Sequence, residues 1–409
     1  MSAHLSSRYP LAGSHRRQRK FDHAAAIDDT TQRENEKIPR TFSMITKPSQ
    51  LLELIAKAKT AEAIALDTEF FWERTYYPRL GLIQLAISGD ECHLIDPLAL
   101  EDLRPLGELL ANPGLVKILH DAGQDLAILY RATGSAAENV FDTRLAAGFA
   151  GLPATLSLSA LVQQLLDINL TKSETRSDWL RRPLSAEQLL YANDDVRHLH
   201  ALRLLLLRRI AEPQVKTWLD EQLALYDNPH FYVSDGSSRY QRLSASATRL
   251  PPSGAAILKR LFDWREETAR ASDKPRAHIV ADTILLAIAH QPPADIPALR
   301  QLGLSNQAMR RYGSDIVAVC AASSKAAATL VVEKSHRPSA KEKEIFRRLQ
   351  DTIRAKSEVA GIDPVLVGNS HELRAVARFL ADGVPPVAHL PQLSGWRMTF
   401  LEDFFHHNG

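Results

Sequence analysis

The sequence predicts a mixed α/β domain followed by two all-helical domains. Between residues 44 and 225, short apolar segments typical of strands alternate with amphipathic segments typical of helices. After residue 210 the strand-like segments stop, and two blocks of helical periodicity follow at residues 251–327 and 339–409. Strands that alternate with helices in this way indicate a mixed sheet with helices on its faces.

The elements of residues 44–225 follow from their local sequence. A helix is predicted over residues 50–59, with Ser49 as its cap. Helices are also predicted over residues 124–130, 156–166 and 186–209, the last capped by Ser185. Strands are predicted over residues 63–71, 80–87, 92–95 and 116–119, with a turn containing Gly89 between the second and the third.

The remaining segments are of other kinds. Residues 1–43 have no apolar periodicity, which predicts a disordered N-terminal extension. Residues 226–250 are polar and rich in turn residues, which predicts a linker or surface arm. The two helical blocks are similar in size, and this similarity suggests divergent repeats.

Composition and charge limit the possible function classes. The chain has 409 residues, 45% hydrophobic and 24% charged, which is ordinary for a soluble globular protein. No segment reaches the ~18 apolar residues that a membrane span needs, so no membrane partner is expected. Two cysteines are too few for a disulfide framework and predict a cytoplasmic protein.

The net charge of +2 is unevenly distributed along the chain. It divides into +3 for residues 1–43, −4 for residues 44–210 and +3 for residues 211–409. The near-neutral total therefore does not exclude a nucleic-acid partner, because it averages unlike parts.

Acidic side chains of the −4 region occur in three patterns. Asp67 and Glu69 are two apart in a predicted strand, so they share a face. Tyr191 and Asp195 are four apart in a predicted helix and also share a face. Asp125 follows a strand, near the edge where open α/β sheets bind ligands. Each pattern alone is weak, since an Asp-x-Glu triplet is expected roughly 1.4 times by chance, and solvated strand ends or packed tyrosines explain them as well.

Taken together, the three patterns indicate a metal site. Four carboxylates in one place repel one another and raise their pKa values. Two divalent cations remove that penalty, and oxygen ligands favour Mg²⁺ or Mn²⁺. Two such ions suit in-line attack on a phosphodiester, and a tyrosine hydroxyl can orient the attacking water. Asp121, which precedes Asp125, is better explained as a helix cap.

These residues and the segments around them resemble the ribonuclease D family, in the DEDDy branch of the 3′→5′ exonucleases. The resemblance rests on the three acidic patterns and on residues 66–70, 75–85, 172–180 and 182–184. Residues 302–305 and 312–313 lie in a block that is similar to an HRDC domain, and residues 394–397 are similar to a second, more divergent HRDC-like module. The resemblance covers about residues 44–409.

The resemblance implies a fold, an activity and a partner. A ribonuclease-H-like exonuclease domain over residues 44–225 is expected to precede two HRDC-type helical domains. The implied enzyme is a monomer that hydrolyses phosphodiester bonds at RNA 3′ ends with two Mg²⁺ or Mn²⁺ ions and releases nucleoside 5′-monophosphates. Its expected substrates are tRNA precursors and other structured RNA 3′ ends. A DNA-directed 3′→5′ exonuclease and a non-catalytic RNA-binding protein on a nuclease fold are the alternatives.

The resemblance also implies roles for individual residues. Asp67, Glu69 and Asp195 are expected to hold the metal beside the attacking water. Asp67 is expected to bridge to a second metal that Asp125 supports, and Tyr191 to position the water.

Further residues have roles that the sequence leaves more open. Phe70, beside the acids, is a candidate to pack on the terminal nucleotide, and a core position explains it equally well. Basic residues of the first helical block are candidate phosphate contacts, namely Lys259, Arg260, Arg310 and Arg311. Buried hydrogen bonds are expected for Gln84 and His120, a structural role for Asp142 and core packing for Trp179.

Overall fold

The computed structural model describes residues 43–170, 174, 177–233, 236–247, 250, 252–326, 338–383 and 390–407. The predicted N-terminal extension therefore lies outside the described residues, apart from Ser43. Among the helices in these ranges, none combines the length and the apolar character that crossing a bilayer requires.

One mixed sheet lies at the centre of the first region, as predicted. Its strands run in the order β1-β4-β3-β2-β5-β6, with β2 antiparallel to β3 and parallel to β5. The sequence did not predict β1 or β6, because a strand of three residues is too short to show alternation. The described strands are β1 (Ser43–Ile45), β2 (Ala63–Phe71), β3 (Arg79–Ala86), β4 (Cys92–Ile95), β5 (Val116–Leu119) and β6 (Val140–Asp142).

Helices flank this sheet. The sequence did not predict three of them, which are Gly107–Leu110, Thr143–Phe149 and Pro213–Leu223. Two of the predicted helices also differ from the prediction. The first begins at Pro48, after Lys47, because proline suits the first helical position and the Gln50 side chain accepts the Lys47 N–H at 3.1 Å; Ser49 is therefore not the cap. The helix predicted over residues 186–209 is divided at His198 into two. The helices of this region are α1 (Pro48–Ala58), α2 (Gly107–Leu110), α3 (Gly123–Thr133), α4 (Thr143–Phe149), α5 (Leu158–Leu166), α6 (Ala186–Arg197), α7 (Leu199–Arg209) and α8 (Pro213–Leu223).

The two helical blocks after residue 250 are present as predicted, and the segment before them, which was predicted as a linker or arm, is also helical in part. The segment predicted as a linker or arm contains two short 3₁₀ helices, Ala224–Asp227 and Pro229–Phe231, and one α-helix. The helices are α9 (Ser237–Ser246), α10 (Pro252–Ala271), α11 (Arg276–Ile279), α12 (Asp282–His290), α13 (Ala298–Gln301) and α14 (Asn306–Ala326), followed by α15 (Ala340–Ala360), α16 (Ser370–Asp382) and α17 (Gly395–His406).

The last helical block, α15–α17, shares its apolar core with the α/β region. The Trp396 ring stacks on Trp218 of α8 at a centroid distance of 5.7 Å and contacts Phe149 of α4 at 5.3 Å. The Trp396 backbone N–H donates to the Glu221 carboxylate at 2.7 Å. Buried aromatic contacts of this kind stabilise strongly, so this block is an integral part of the α/β core.

The first helical block, α10–α14, has a separate apolar cluster, which also includes Tyr76 from the β2–β3 connection. Tyr76 is 4% exposed, and its hydroxyl donates to Glu266 of α10 at 2.9 Å. Its backbone N–H donates to the Asp273 carboxylate at 3.0 Å. The connection that follows β2 is thereby fastened to the first helical block.

Asp142, at the end of β6, joins several elements through one buried carboxylate. The side chain is 1% exposed and accepts the backbone N–H groups of Asp121 and Ala122, just before α3, at 3.0 and 2.9 Å. It also accepts the Arg144 N–H at the start of α4 and the Tyr226 hydroxyl, each at 2.8 Å. Asp142 is structural, as predicted, and it positions the start of α3.

We expect Asp142→Asn to destabilise the protein by about 2–4 kcal/mol, because an amide turns one acceptor oxygen into a donor that faces buried donors. The measurement is the free energy of unfolding in urea. Asp102→Asn is the control, since Asp102 is exposed and, within the described part of the chain, pairs only with nearby Arg104. Equal stability of the two variants would show that the buried carboxylate is not needed.

Candidate active site

The central strand β2 presents two acids on one face of the sheet. Asp67 lies opposite Gln84 of β3, and Glu69 lies opposite Leu82. Because side chains two apart on a strand share a face, both carboxylates lie on the same side. The register shifts between Glu69 and Phe70, so the strand bends directly after the acids.

Helix α6 packs across this face and adds the next two residues. Ser185 caps the helix, and Ala192 packs with Leu82 in a small apolar cluster on the sheet. Tyr191 and Asp195 are one turn apart, and the Tyr191 hydroxyl donates a hydrogen bond to the Asp195 carboxylate. The pairing predicted from their spacing is therefore present.

The three acids from β2 and α6 converge. Asp67, Glu69 and Asp195 each offer one carboxylate oxygen, and these oxygens lie within 4.8 Å of one another. Asp125 of α3 is outside this group of three but is buried nearby, and it accepts a hydrogen bond from the Thr68 hydroxyl at 2.5 Å. We call the three converging acids together with Asp125 the acid cluster.

Crowding and burial make the acid cluster reluctant to ionise. Burial, reinforced by the charges of the neighbouring acids, raises the pKa of Asp67 well above its usual range and that of Glu69 to about 9. Burial also raises the pKa values of Asp125 and Asp195 to about 7. The Tyr191 hydroxyl opposes this effect at Asp195, because its hydrogen bond favours the charged carboxylate.

A partly buried ion pair holds the segment that leads into α6. Arg182 donates to both carboxylate oxygens of Asp96 at 2.8 and 2.7 Å, and to the carbonyl oxygens of Trp179 and Gly81 at 2.9 and 2.6 Å. A Cβ at Gly81 would lie 2.6 Å from the Trp179 carbonyl, so only glycine fits there. Trp179 is fully buried, as predicted, with its ring 6.1 Å from that of Tyr191.

Part of this arrangement is not predictable from the local sequence. Arg182 stood in a segment that resembles the family, but its partner Asp96 had no local signal and is found only through the sheet. Asp121 is not a helix cap: its φ is 62°, it pairs with Arg144, and Ala122 precedes α3 instead. A short polar residue tolerates this left-handed conformation, which takes its side chain away from the helix start.

Of the two expected buried hydrogen-bonding residues, one is confirmed. His120 contacts the Thr143 hydroxyl at 2.9 Å and the Leu156 carbonyl at 3.1 Å. Gln84 is completely buried, but neither polar atom of its amide has a hydrogen-bond partner among the described residues. The prediction that Gln84 makes a buried hydrogen bond was therefore wrong. Its position opposite Asp67 puts this amide on the face of the acid cluster.

The predicted substrate contacts lie outside the acid cluster. Phe70 is half-buried after the bend in β2. Lys259 pairs with Asp263 at 2.6 Å, which offsets its charge, and Arg311 lies 5.6 Å from the Tyr312 ring. All four basic candidates are exposed on α10 and α14, namely Lys259, Arg260, Arg310 and Arg311.

Comparison with known proteins agrees with this geometry. A family model described as a 3′-5′ exonuclease matches residues 42–211, and an HRDC domain model matches residues 254–320. The ribonuclease D of Desulfotalea psychrophila is 44% identical over 370 residues, which cover 89% of this chain and 97% of that protein. The chain belongs to the ribonuclease D family. The ribonuclease D of Xanthomonas oryzae is 38% identical over 367 residues, covering 88% and 96%.

The fold agrees with a solved member of the ribonuclease D family. The crystal structure of Escherichia coli RNase D, described as an exoribonuclease involved in structured RNA processing, matches with a TM-score of 0.79 and 28% identity. The match covers 90% of this chain and 98% of that one. Membership of the family makes this protein a 3′→5′ exoribonuclease, a hydrolase with an exonuclease domain and an HRDC helical domain.

The raised pKa values predict how stability depends on pH. A carboxyl with a folded pKa of about 7 to 9, against about 4 when unfolded, binds its proton more tightly in the folded protein. Its stabilising contribution is complete below pH ~4 and is lost as pH rises through the folded pKa. We therefore expect the Tm in EDTA to fall between pH 5 and pH 9, as measured by differential scanning fluorimetry.

Added Mn²⁺ should raise the Tm most at the top of this range, because metal binding requires ionised carboxylates. Asp195→Asn is the control variant, and its Tm in EDTA should depend less steeply on pH. A Tm in EDTA that is independent of pH in the unsubstituted protein would contradict the raised pKa values.

Proposed function

We propose that this member of the ribonuclease D family trims the 3′ ends of structured RNA, with tRNA precursors as the expected substrates. It would hydrolyse the terminal phosphodiester and release nucleoside 5′-monophosphates. The observation that carries the proposal is the convergence of three carboxylate oxygens within 4.8 Å, beside a buried fourth acid and a tyrosine hydroxyl. The description of E. coli RNase D as acting in structured RNA processing supports the substrate class.

The acid cluster fits two divalent cations, Mg²⁺ or Mn²⁺. Its donors are all hard carboxylate oxygens, and their raised pKa values reflect a repulsion that cations would remove. Asp67, Glu69 and Asp195 would hold one cation, and Asp67 and Asp125 the other. When bound, these cations supply positive charge beside the attacking water and the leaving oxygen.

The protein residues would orient the reaction. Tyr191, held by its hydrogen bond to Asp195 and by packing near Trp179, would position the water for in-line attack. Phe70 would pack on the terminal nucleotide, since it follows the acids on the bent end of β2 and keeps part of its ring accessible.

We propose that the helical domains grasp the RNA away from its 3′ end. We propose an exonuclease domain at residues 44–225, a connecting arm at residues 226–250, an HRDC domain at residues 251–327 and an HRDC-like domain at residues 339–409. Exposed basic residues of the HRDC domain would contact phosphates, namely Lys259, Arg260, Arg310 and Arg311. The protein is proposed to act as a monomer in the cytoplasm.

Asp67→Asn should lower the rate of 3′ trimming by about 10³-fold or more, because Asp67 would contact both cations. The substrate is a tRNA that carries extra 3′ nucleotides, and the measurement is the rate of nucleotide release with Mg²⁺. Asp102→Asn, an exposed acid, is the control and should trim at the parental rate.

The same assay discriminates between substrates. The protein should release nucleotides faster from an RNA strand than from the matched DNA strand, and EDTA should abolish the activity. An Asp67→Asn variant as fast as the parent would remove the basis of the catalytic assignment, and faster trimming of DNA would favour a DNA-directed enzyme.

Tyr191→Phe should reduce the rate by about 10²-fold while leaving the fold intact, because it removes only the hydroxyl that orients the water. The loss of its hydrogen bond should also raise the pKa of Asp195 further, so the rate should need a higher pH to reach its plateau. The pH–rate profile is the measurement, and Tyr130→Phe provides a matched control on α3. A Tyr191→Phe profile identical to that of the parent would contradict the role.

A further inference from the structure

A cavity of about 500 Å³ lies between α9 and the first helices of the HRDC domain. Four arginines line it, two from α9 and two from the helical block, and Phe262 and Leu243 provide apolar surface. We call it the arginine cavity; the four are Arg239, Arg242, Arg265 and Arg276. Its volume lies in the range of small-ligand sites and is sufficient for one nucleotide.

Positive charge in the arginine cavity exceeds the negative charge that pairs with it. Arg239 and Arg276 share a single carboxylate, Glu266, at 3.2 and 2.6 Å. Arg265 pairs with Asp282 at 2.6 Å. The side chain of Arg242, which lies in α9, makes no ion pair or hydrogen bond with the described residues. Four guanidiniums therefore face two carboxylates, an excess of two positive charges.

Two of the arginines also have buried donors without partners. Arg265 is only 3% exposed, and its Nε has no hydrogen-bond partner among the described residues, although its Nη1 donates to the Val280 carbonyl at 3.0 Å and to Asp282. The Arg239 Nε is likewise buried without a partner in the described part of the chain. A buried, charged donor left unpaired is costly, so the described protein groups compensate the positive charge around the cavity only in part.

A phosphate group suits this cavity better than other ligands. Guanidinium groups bind phosphate oxygens through paired, charge-assisted hydrogen bonds. The excess of positive charge disfavours cations, and the apolar side chains of Phe262 and Leu243 offer a surface for a ribose or a base.

The arginine cavity is connected to β2, the strand that carries Asp67 and Glu69. Glu266, which pairs with two of its arginines, accepts the hydroxyl of Tyr76, and the Arg276 guanidinium lies 4.2 Å above the Tyr76 ring. Tyr76 follows Glu69 by seven residues, so its Cα lies within about 25 Å of the acid cluster even if the chain were fully extended. An RNA strand with its 3′ end at the acids can therefore reach this region within a short stretch.

We propose that the arginine cavity binds one internal phosphodiester of the RNA strand whose 3′ end occupies the acid cluster. The proposal rests on the exoribonuclease function proposed above. It assigns RNA binding to a defined pocket formed jointly by α9 and the HRDC domain, separate from the exposed basic residues of α10 and α14.

The test replaces one phosphate at a time. A short 5′-labelled single-stranded RNA is made with a single uncharged methylphosphonate at each successive position, and binding is measured in EDTA so that no cleavage occurs. For the parent protein, a methylphosphonate at one internal position should weaken RNA binding about tenfold, since a charged hydrogen bond is lost. Arg242→Ala should weaken binding of the unmodified RNA by a similar factor. In this variant, a methylphosphonate at that same position should have no further effect on binding, because the substitution and the methylphosphonate remove the same contact.

Arg208→Ala is the matched control, since Arg208 is exposed on α7, outside the arginine cavity. It should bind like the parent at every position. Arg242→Gln is measured beside Arg242→Ala, so that the result does not depend on one substitution. Circular dichroism melting establishes that the variants are folded. The salt dependence of binding should also become shallower by about 0.7 in the logarithmic slope for Arg242→Ala.

The proposal would be overturned if the effects of Arg242→Ala and of the methylphosphonate on RNA binding were strictly additive at every position. It would also be overturned if both Arg242 variants bound RNA as well as Arg208→Ala does. Inorganic phosphate that raises the Tm of the parent but not of Arg242→Ala, without any coupling to an RNA position, would assign the cavity to a free anion and also overturn it. Nucleotide release by the parent with Mg²⁺ is measured on the same RNA. If nucleotide release is normal but no RNA position is coupled to Arg242, only the proposed role of the arginine cavity is refuted. If no nucleotide is released from any RNA, both the exoribonuclease function and the role of the cavity are refuted.

Discussion

Mutual repulsion among crowded, partly buried carboxylates is the constraint on which the rest of this structure depends. Asp67, Glu69 and Asp195 converge to within 4.8 Å, and Asp125 is buried nearby. Without compensating charge, such a cluster favours protonation, which the raised pKa values express. Rigid elements are therefore needed to hold these acids together, and divalent cations would remove their repulsion.

The surrounding polar contacts supply the rigidity. Asp142 collects donors from the starts of α3 and α4 and from Tyr226, so the helix that carries Asp125 begins at a defined place. Arg182 donates hydrogen bonds to the Asp96 carboxylate and to the Trp179 carbonyl, and these bonds hold the segment before α6 in place. Asp142 is buried and Arg182 is partly buried, and each has several partners, which is how charge becomes tolerable away from water. Gln84, whose amide has no partner in the described part of the chain, is the contrasting case beside Asp67.

The two helical blocks serve this core in different ways. The last block merges with it through Trp396, which contacts both Trp218 and Phe149. The HRDC domain keeps a core of its own and receives Tyr76 from the connection that follows β2, the strand that carries Asp67 and Glu69. Its position relative to the acids is therefore determined by a few specific contacts, and the arginine cavity lies next to those contacts.

The sequence alone determined the mixed sheet, the helical blocks and the pairs within the site, because these follow from local periodicity. Asp67 with Glu69 and Tyr191 with Asp195 are two and four residues apart, so strand and helix geometry decides which side chains share a face. Tertiary structure decided the rest. The pairing of Arg182 with Asp96, the insertion of Tyr76 into the HRDC core and the surplus of arginine charge around one cavity join residues that are distant in the chain. No local pattern encodes such contacts, because they arise only when sheet, helix and loop pack together.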